Sequence, residues 1–305
     1  MKVPSAVKSM LRPFKGVYLH SRQTLIIGIN SLSPATATRI YHYLTTGHNL
    51  DLRNPTTFND KLQWLKLYWQ HPLITTCADK YAVQNYVKSK CGQKLLNKTL
   101  SVFNSPHELD WDSLPMKFAI KCTHGCGYNI VTQNKNELKR QDVLKKLTRW
   151  VNERYGSVAL EYHYDKIRPR ILVEEYIEGD SGSLPTDYKI YCFNGKAKLV
   201  LVCSEREKEL KLDFFDLEWS RLEIGLKENE SSTPISKPAS FEIMIDAAEK
   251  MAVPFPFVRI DFYNKGGLAI FGEMTFTPAG NMATYYNNYG QELLGSFLKL
   301  PKNSK

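Results

Sequence analysis

Two neighbouring apolar segments, Phe257 to Tyr263 and Leu268 to Met274, each carry one carboxylate, Asp261 and Glu273, and are joined by Asn264-Lys265-Gly266-Gly267. The pattern predicts a β-hairpin with acids set into otherwise buried strands. A buried carboxylate without a partner is costly, so each acid needs a cation or hydrogen-bond donors. Neutralisation by Arg259 or a lysine is one solution, and a metal ion is another. If the hairpin loop is odd in length, Arg259 lies opposite Glu273 and Asp261 opposite Phe271, so Arg259, Asp261, Glu273 and Thr275 share one face. With an even loop the acids point to opposite faces. Only a shared face lets both bind one magnesium ion, which takes octahedral oxygen ligands and keeps phosphate oxygens and waters in its shell. The metal reading therefore predicts the odd register.

The rest of the chain supplies ample material for a core: 305 residues, of which 43% are hydrophobic and 24% charged. Residues 1 to about 50 read as helical, up to Asn54-Pro55, where proline forbids easy continuation. Thr57 can cap a helix carrying Phe58, Leu62, Leu65 and Trp69, and a second helix is expected from Asp79-Lys80 to Gly92. From Leu114 the texture changes. Lys117 to Lys121 reads as a buried strand, Thr123 to Asn129 as a glycine loop and Ile130-Val131 as a return strand. A helix from about Asp142 to Arg154 follows, then strand-like segments at Arg170 to Tyr176, Asp187 to Phe193 and Lys198 to Cys203. Residues 226–240 are polar with two prolines and read as a surface loop or flap, before a helix from about Ser240 to Met251. Helices first, then strands with interspersed helices, predict α+β layers.

Lys121 ends its strand just before a loop with Gly125 and Gly127. Glycines let backbone N–H groups approach phosphate oxygens and a lysine adds a point charge, although a strand-end lysine is more often a solvated residue. The loop completes neither a Walker nor a dinucleotide fingerprint. His124 inside it could orient a phosphate or an acceptor carboxylate, or simply hydrogen-bond the loop. The segment Ile171 to Gly179 passes from an apolar strand into acids, where a strand-to-loop hinge could offer backbone groups to a purine and an acid to ribose hydroxyls; alone it reads as an ordinary strand end. Arg206 could meet an anion, but Glu205 and Glu207 beside it suggest a solvated charge cluster.

Six scattered cysteines lack the spacing of a secreted disulfide scaffold, and Cys122 and Cys126 lack the second pair of a zinc site, so a reducing cytoplasm is expected. No run approaches the ~18 apolar residues of a spanning helix, and Met1 to Gln23 lacks a signal peptide's apolar centre. The net charge of +10 attracts anions, yet its even spread and the absence of nucleic-acid-binding signatures argue against nucleic acid. The basic N-terminus could bring the chain to acidic lipid at the inner face of the membrane as a peripheral contact.

Taken in order, a lysine at a helix start, a lysine before a glycine loop, an acidic hinge, Asp-x-Lys, Arg-x-Asp and a final strand-borne Glu resemble the ATP-grasp superfamily. The resemblance implies two α+β lobes clasping ATP, with a helical N-terminal region. Its domains would be a basic helical segment 1–53, a helical or α+β region 54–113, a small lobe 114–180 with the glycine loop and a large lobe 181–305 with the magnesium site. Carried over by position, Lys80 and Lys121 would bind phosphates, and Gly125, Gly127 and Tyr128, with His124, would fold over the triphosphate. Glu174, Glu175, Tyr176 and Ile177 would form the adenine hinge, with Glu178 or Asp187 as the ribose acid. Lys189 would contact nucleotide or acceptor, Arg259 would steady the transferred phosphoryl group, and Asp261 and Glu273 would hold magnesium. Many members carry asparagine where this chain has Thr275, which leaves a hydroxyl as the remaining metal ligand.

Longer stretches, Asn54 to Tyr68, Ala78 to Val83, Lys121 to Asn129 and Tyr188 to Lys196, are similar to the teichuronopeptide-biosynthesis (TupA-like) branch. That branch implies an amidoligase of surface polysaccharide synthesis: a carboxylate attacks the γ-phosphate to give an acyl phosphate, and an amine displaces phosphate. A uronic acid of a saccharide or lipid-linked saccharide and an amino acid or other amine are the implied partners. A kinase or amino-acid ligase on the same fold, and a glycosyltransferase or scaffold of the pathway, remain open alternatives. The sequence leaves oligomeric state open.

Overall fold

The computed structural model describes residues 27–302 apart from 180, 181 and 183. The membrane contact expected of Met1 to Gln23 falls outside the described residues. Among those residues no helix is long and apolar enough to cross a membrane.

Among the described residues, helices at Pro34–Thr46, Phe58–Tyr68, Pro72–Ala78 and Val83–Cys91 precede the first strand. Capping explains two of these starts: Ser33 accepts from the Thr36 amide with Pro34 behind it, and Thr57 accepts from the Asp60 amide. The helix expected from Asp79-Lys80 starts later, because the Asp79 carboxylate caps the Tyr81 and Ala82 amides in a turn after Pro72–Ala78. Four strands form the smaller sheet: β1 (Thr99–Phe103), β2 (Phe118–Cys122), β3 (Asn129–Thr132) and β4 (Ile171–Glu175), in the order β1-β4-β2-β3. Five form the larger: β5 (Asp187–Phe193), β6 (Lys196–Ser204), β7 (Lys211–Phe215), β8 (Phe257–Lys265) and β9 (Leu268–Thr275), in the order β7-β6-β5-β8-β9. All pairings are antiparallel, so the α+β expectation holds. β1 and β7 escape sequence reading. Both are five-residue edge strands, and neither needs the continuous apolar run of a central strand. β1, which precedes residue 114, belongs to the small sheet.

The larger sheet is packed on both sides. Helix Phe241–Ala252 buries Met244, Ala248 and Met251 against the face carrying Ile190, Val200, Val258 and Ile260. On the opposite face Phe58 meets Tyr191, Phe193 and Phe257, with ring centroids 5.2–6.2 Å apart. Lys189, Arg259 and Asp261 lie on that second face, since Lys189 pairs with Asp261 and Tyr191 with Arg259.

The hairpin corrects the predicted register. Its loop is the two-residue Gly266-Gly267, both at positive φ, between the paired Lys265 and Leu268. By alternation alone this even loop would set the acids on opposite faces. A bulge at Gly272 adds one residue: Phe262 pairs with Phe271, and the next pair is Asp261 with Glu273. Asp261 thus faces Glu273 rather than Phe271, and Arg259 faces Thr275 rather than Glu273. The four side chains share one face because of the bulge, not the loop.

Candidate active site

On that face the acids are met by cations. Arg259 grips Asp261 with two 2.7 Å hydrogen bonds, from Nε to Oδ1 and from Nη2 to Oδ2. Lys189 bridges Asp261 Oδ2 at 2.5 Å and Asp187 Oδ2 at 2.6 Å. Arg259 Nη2 also reaches the Thr275 hydroxyl at 3.1 Å and Glu273 Oε1 at 3.3 Å, and Thr275 donates to the same Oε1 at 2.9 Å. Burial pushes the Glu273 carboxyl up, but Lys80, Arg259 and Lys189 outweigh it and hold it at about 2. Burial pushes Asp261 up against the pull of Arg259 and Lys189.

The smaller sheet supplies the opposing groups. Lys121 pairs in register with Leu172, and its ammonium meets Glu174 at 2.6 Å. Burial works against its charge, yet Glu174, Tyr263 and Glu273 raise the ammonium above its ordinary value. Lys80 donates to the Gly125 carbonyl, tying the helical region to the glycine loop. The loop's glycines have different reasons. A Cβ on Gly125 would lie 2.9 Å from the rings of Tyr128 and Tyr155, whereas Gly127 has open space but sits at φ +74°. His124 and Tyr128, expected to fold over a triphosphate, are both buried. His124 is buried with Nε2 on the Trp150 carbonyl at 2.9 Å, and Tyr128 stacks on Trp150 at 5.4 Å. They support the loop from beneath.

Between the sheets lies a cleft walled by Ala119, Lys121 and Glu175 to Ile177 on one side and by Arg206 and Tyr263 on the other. Arg206 is therefore not simply a solvated charge: its guanidinium lies 5.8 Å over the Tyr263 ring and donates to the Pro185 carbonyl at 3.1 Å. Tyr263 escapes the sequence reading, although it sits two residues after Asp261 on the same strand face and the period of two could have found it. Of the two acids offered for ribose, Glu178 is paired with the exposed Lys117 at 2.8 Å. Asp187 keeps a buried Oδ1 without a hydrogen-bond partner.

The residues present fit magnesium in kind, since Asp261, Glu273 and Thr275 bring hard oxygen atoms to one face. Both Asp261 oxygens are engaged by Arg259 and Lys189, and among the described residues no group of three or more His, Cys, Asp or Glu gathers as a metal cage. Lys80, Lys189 and Arg259 already balance Asp187, Asp261 and Glu273. A divalent cation alone would add excess positive charge, and a polyphosphate arriving with it would offset that excess.

Two antiparallel sheets across a cleft, one bearing the cation–carboxylate face and the other Lys121 and the glycine loop, define an ATP-grasp protein. The model of the TupA-like ATPgrasp family matches residues 60–299, and the chain belongs to that family. Among solved structures it is similar to D-alanine–D-alanine ligase from Bacillus anthracis complexed with ATP, at 14% identity, covering 72% of this chain and 57% of that one, with a TM-score of 0.38. It is similar to L-amino acid ligase from Bacillus licheniformis at 13% identity, covering 81% and 56%, with a TM-score of 0.48. For ATP-grasp ligase PsnB complexed with minimal precursor, Mg and ADP, the values are 12%, 78% and 64%, with a TM-score of 0.41. The chain spans less than two thirds of the length of each of these. No curated protein matches it.

Proposed function

We propose that the chain is an ATP-dependent carbon–nitrogen ligase that joins a carboxylate to an amine through an acyl phosphate, releasing ADP. Its carboxylate would be a uronic acid in a surface polysaccharide or its lipid-linked precursor, and its amine an amino acid or related compound. The observation that carries this reading is the convergence of Lys189, Arg259, Asp261, Glu273 and Thr275 on one strand face, opposite Lys80 and Lys121. Such chemistry asks for charge neutralisation and alignment rather than a protein nucleophile.

In this reading the Glu175–Ile177 backbone and Tyr263 border the purine, and Lys80 and Lys121 neutralise phosphates. Arg259 and Lys189 align the transferred phosphoryl group and the attacking carboxylate. Asp261 and Glu273 would hold magnesium, whose role when bound is to neutralise phosphate charge. The basic N-terminus would bring the protein to the cytoplasmic membrane face where lipid-linked saccharides are made.

The test is ADP release by the purified protein. The ligase reading expects ADP and phosphate only when a carboxylate and an amine are both supplied. A stable phosphorylated acceptor would make it a kinase, and indifference to ATP would end the reading. Lys121→Ala is expected to weaken ADP binding by at least about 10-fold, as loss of a buried charge contact to phosphate implies.

A further inference from the structure

A second pocket lies under the end of helix Phe58–Tyr68. Its walls include Trp69, Tyr162 and Phe276, and its polar groups include Lys66, His163 and Thr277. Lys66 is half-buried and, among the described residues, no carboxylate stands within ion-pair distance of its ammonium. Charged groups in such surroundings are normally paired. His163 adds a second unfilled valence: its Nε2 is buried without a hydrogen-bond partner, where buried polar atoms are nearly always satisfied. Aromatic walls around one unpaired cation and one orphaned imidazole nitrogen suit a small organic anion.

The cavity adjoins the candidate active site. Thr277 follows Thr275 by two residues, and its hydroxyl donates to the buried Glu161, which also accepts from Tyr155 at 3.2 Å. Lys66 and Glu273 both lie near enough to Glu161 to act on it electrostatically. A cation in the cavity matches the carboxylate of an amino acid, and the cavity wall at Phe276 and Thr277 continues directly from β9, which carries Glu273 and Thr275.

We propose that this cavity is the subsite for the amine substrate, an α-amino acid held by its carboxylate on Lys66. This rests on the ligase reading, since it assigns the second substrate of that reaction. Burial lowers the Lys66 ammonium to about 7, against the pull of Glu161, so a carboxylate seated beside it restores its charge.

The test is titration of the full chain with each proteinogenic amino acid, its carboxamide, and glucuronate, followed by calorimetry. At least one amino acid is expected to bind while its carboxamide binds about 10-fold more weakly, and Lys66→Met is expected to lose the acid by a similar factor. Lys66→Arg should recover most of the affinity. ADP binding with magnesium, measured on the same preparations, reports folding and tests the nucleotide reading separately. Equal binding of acid and carboxamide, unchanged affinity in Lys66→Met with ADP binding intact, glucuronate as the ligand that depends on Lys66, or no amino acid bound at all would each overturn the assignment. Failure of the wild type to bind ADP would instead count against the ligase reading.

Discussion

Asp261 is held at both oxygens, by the two-pronged Arg259 contact and by Lys189. Removing one member of such a buried group strands the others, which costs more than the group contributes as a whole. Asp261→Asn is therefore expected to destabilise the fold by about 3 kcal/mol, read from urea unfolding. Arg259→Lys, which keeps the charge but not the fork, should be less stable than the parent because it cannot grip both Asp261 oxygens and Thr275 at once. Lys189 bridges Asp187 and Asp261, so its ammonium is raised above its ordinary value by both acids despite burial, and it stays charged across the physiological range.

At the scale of elements, the glycine loop and the β8–β9 hairpin each depend on residues without a side chain. In the loop, Gly125→Ala would drive a Cβ into the Tyr128 and Tyr155 rings, whereas Gly127→Ala meets nothing and faces only its left-handed backbone. Thermal unfolding should rank them accordingly, with Gly127→Ala costing about 1 kcal/mol and Gly125→Ala about 2–3 kcal/mol. If Gly127→Ala proves the more damaging, the aromatic packing beneath the loop is not what requires Gly125. In the hairpin a Cβ at Gly272 would stand 3.1 Å from the Asp261 carbonyl and 3.3 Å from the Tyr263 ring. Gly272→Val is expected to disturb the bulge and with it the Asp261–Glu273 pairing, lowering ADP release at least about 10-fold while nucleotide affinity falls less.

For the molecule as a whole, charge balance and buried histidines set its response to metal and pH. Since three cations already offset three acids on the cation–carboxylate face, magnesium alone is expected to leave the melting temperature unchanged, and magnesium with ADP to raise it. A rise with magnesium alone would show a metal site independent of nucleotide. Burial lowers His42 to about 4 and His163 to about 3, and it lowers His124 as well. A depressed histidine favours the folded state above the unfolded value of about 6.5, and that stability is lost as pH falls toward the folded value. Between pH 7 and 5 the protein should lose about 4 kcal/mol from His42 and His163 together, and His163→Gln should remove about half of that slope. A profile that is flat over this window would mean these imidazoles take protons without cost.

Much of the architecture was legible before any coordinates. Strand and helix periodicity marked the central strands, the Thr57 cap marked a helix start, and the order of Lys80, Lys121, Asp261 and Glu273 carried the family resemblance, because these are properties of short stretches and their sequence order. Tertiary structure decided the rest. The edge strands β1 and β7 take their identity from neighbours far along the chain, and the inward turn of His124 exists only because Trp150 offers its carbonyl. Local alternation with the two-glycine loop set Asp261 and Glu273 on opposite faces, and the Gly272 bulge returned them to one. An extra residue in a strand leaves little trace in hydrophobic pattern, so the shared face of the two acids could be required by their chemistry but not located by sequence.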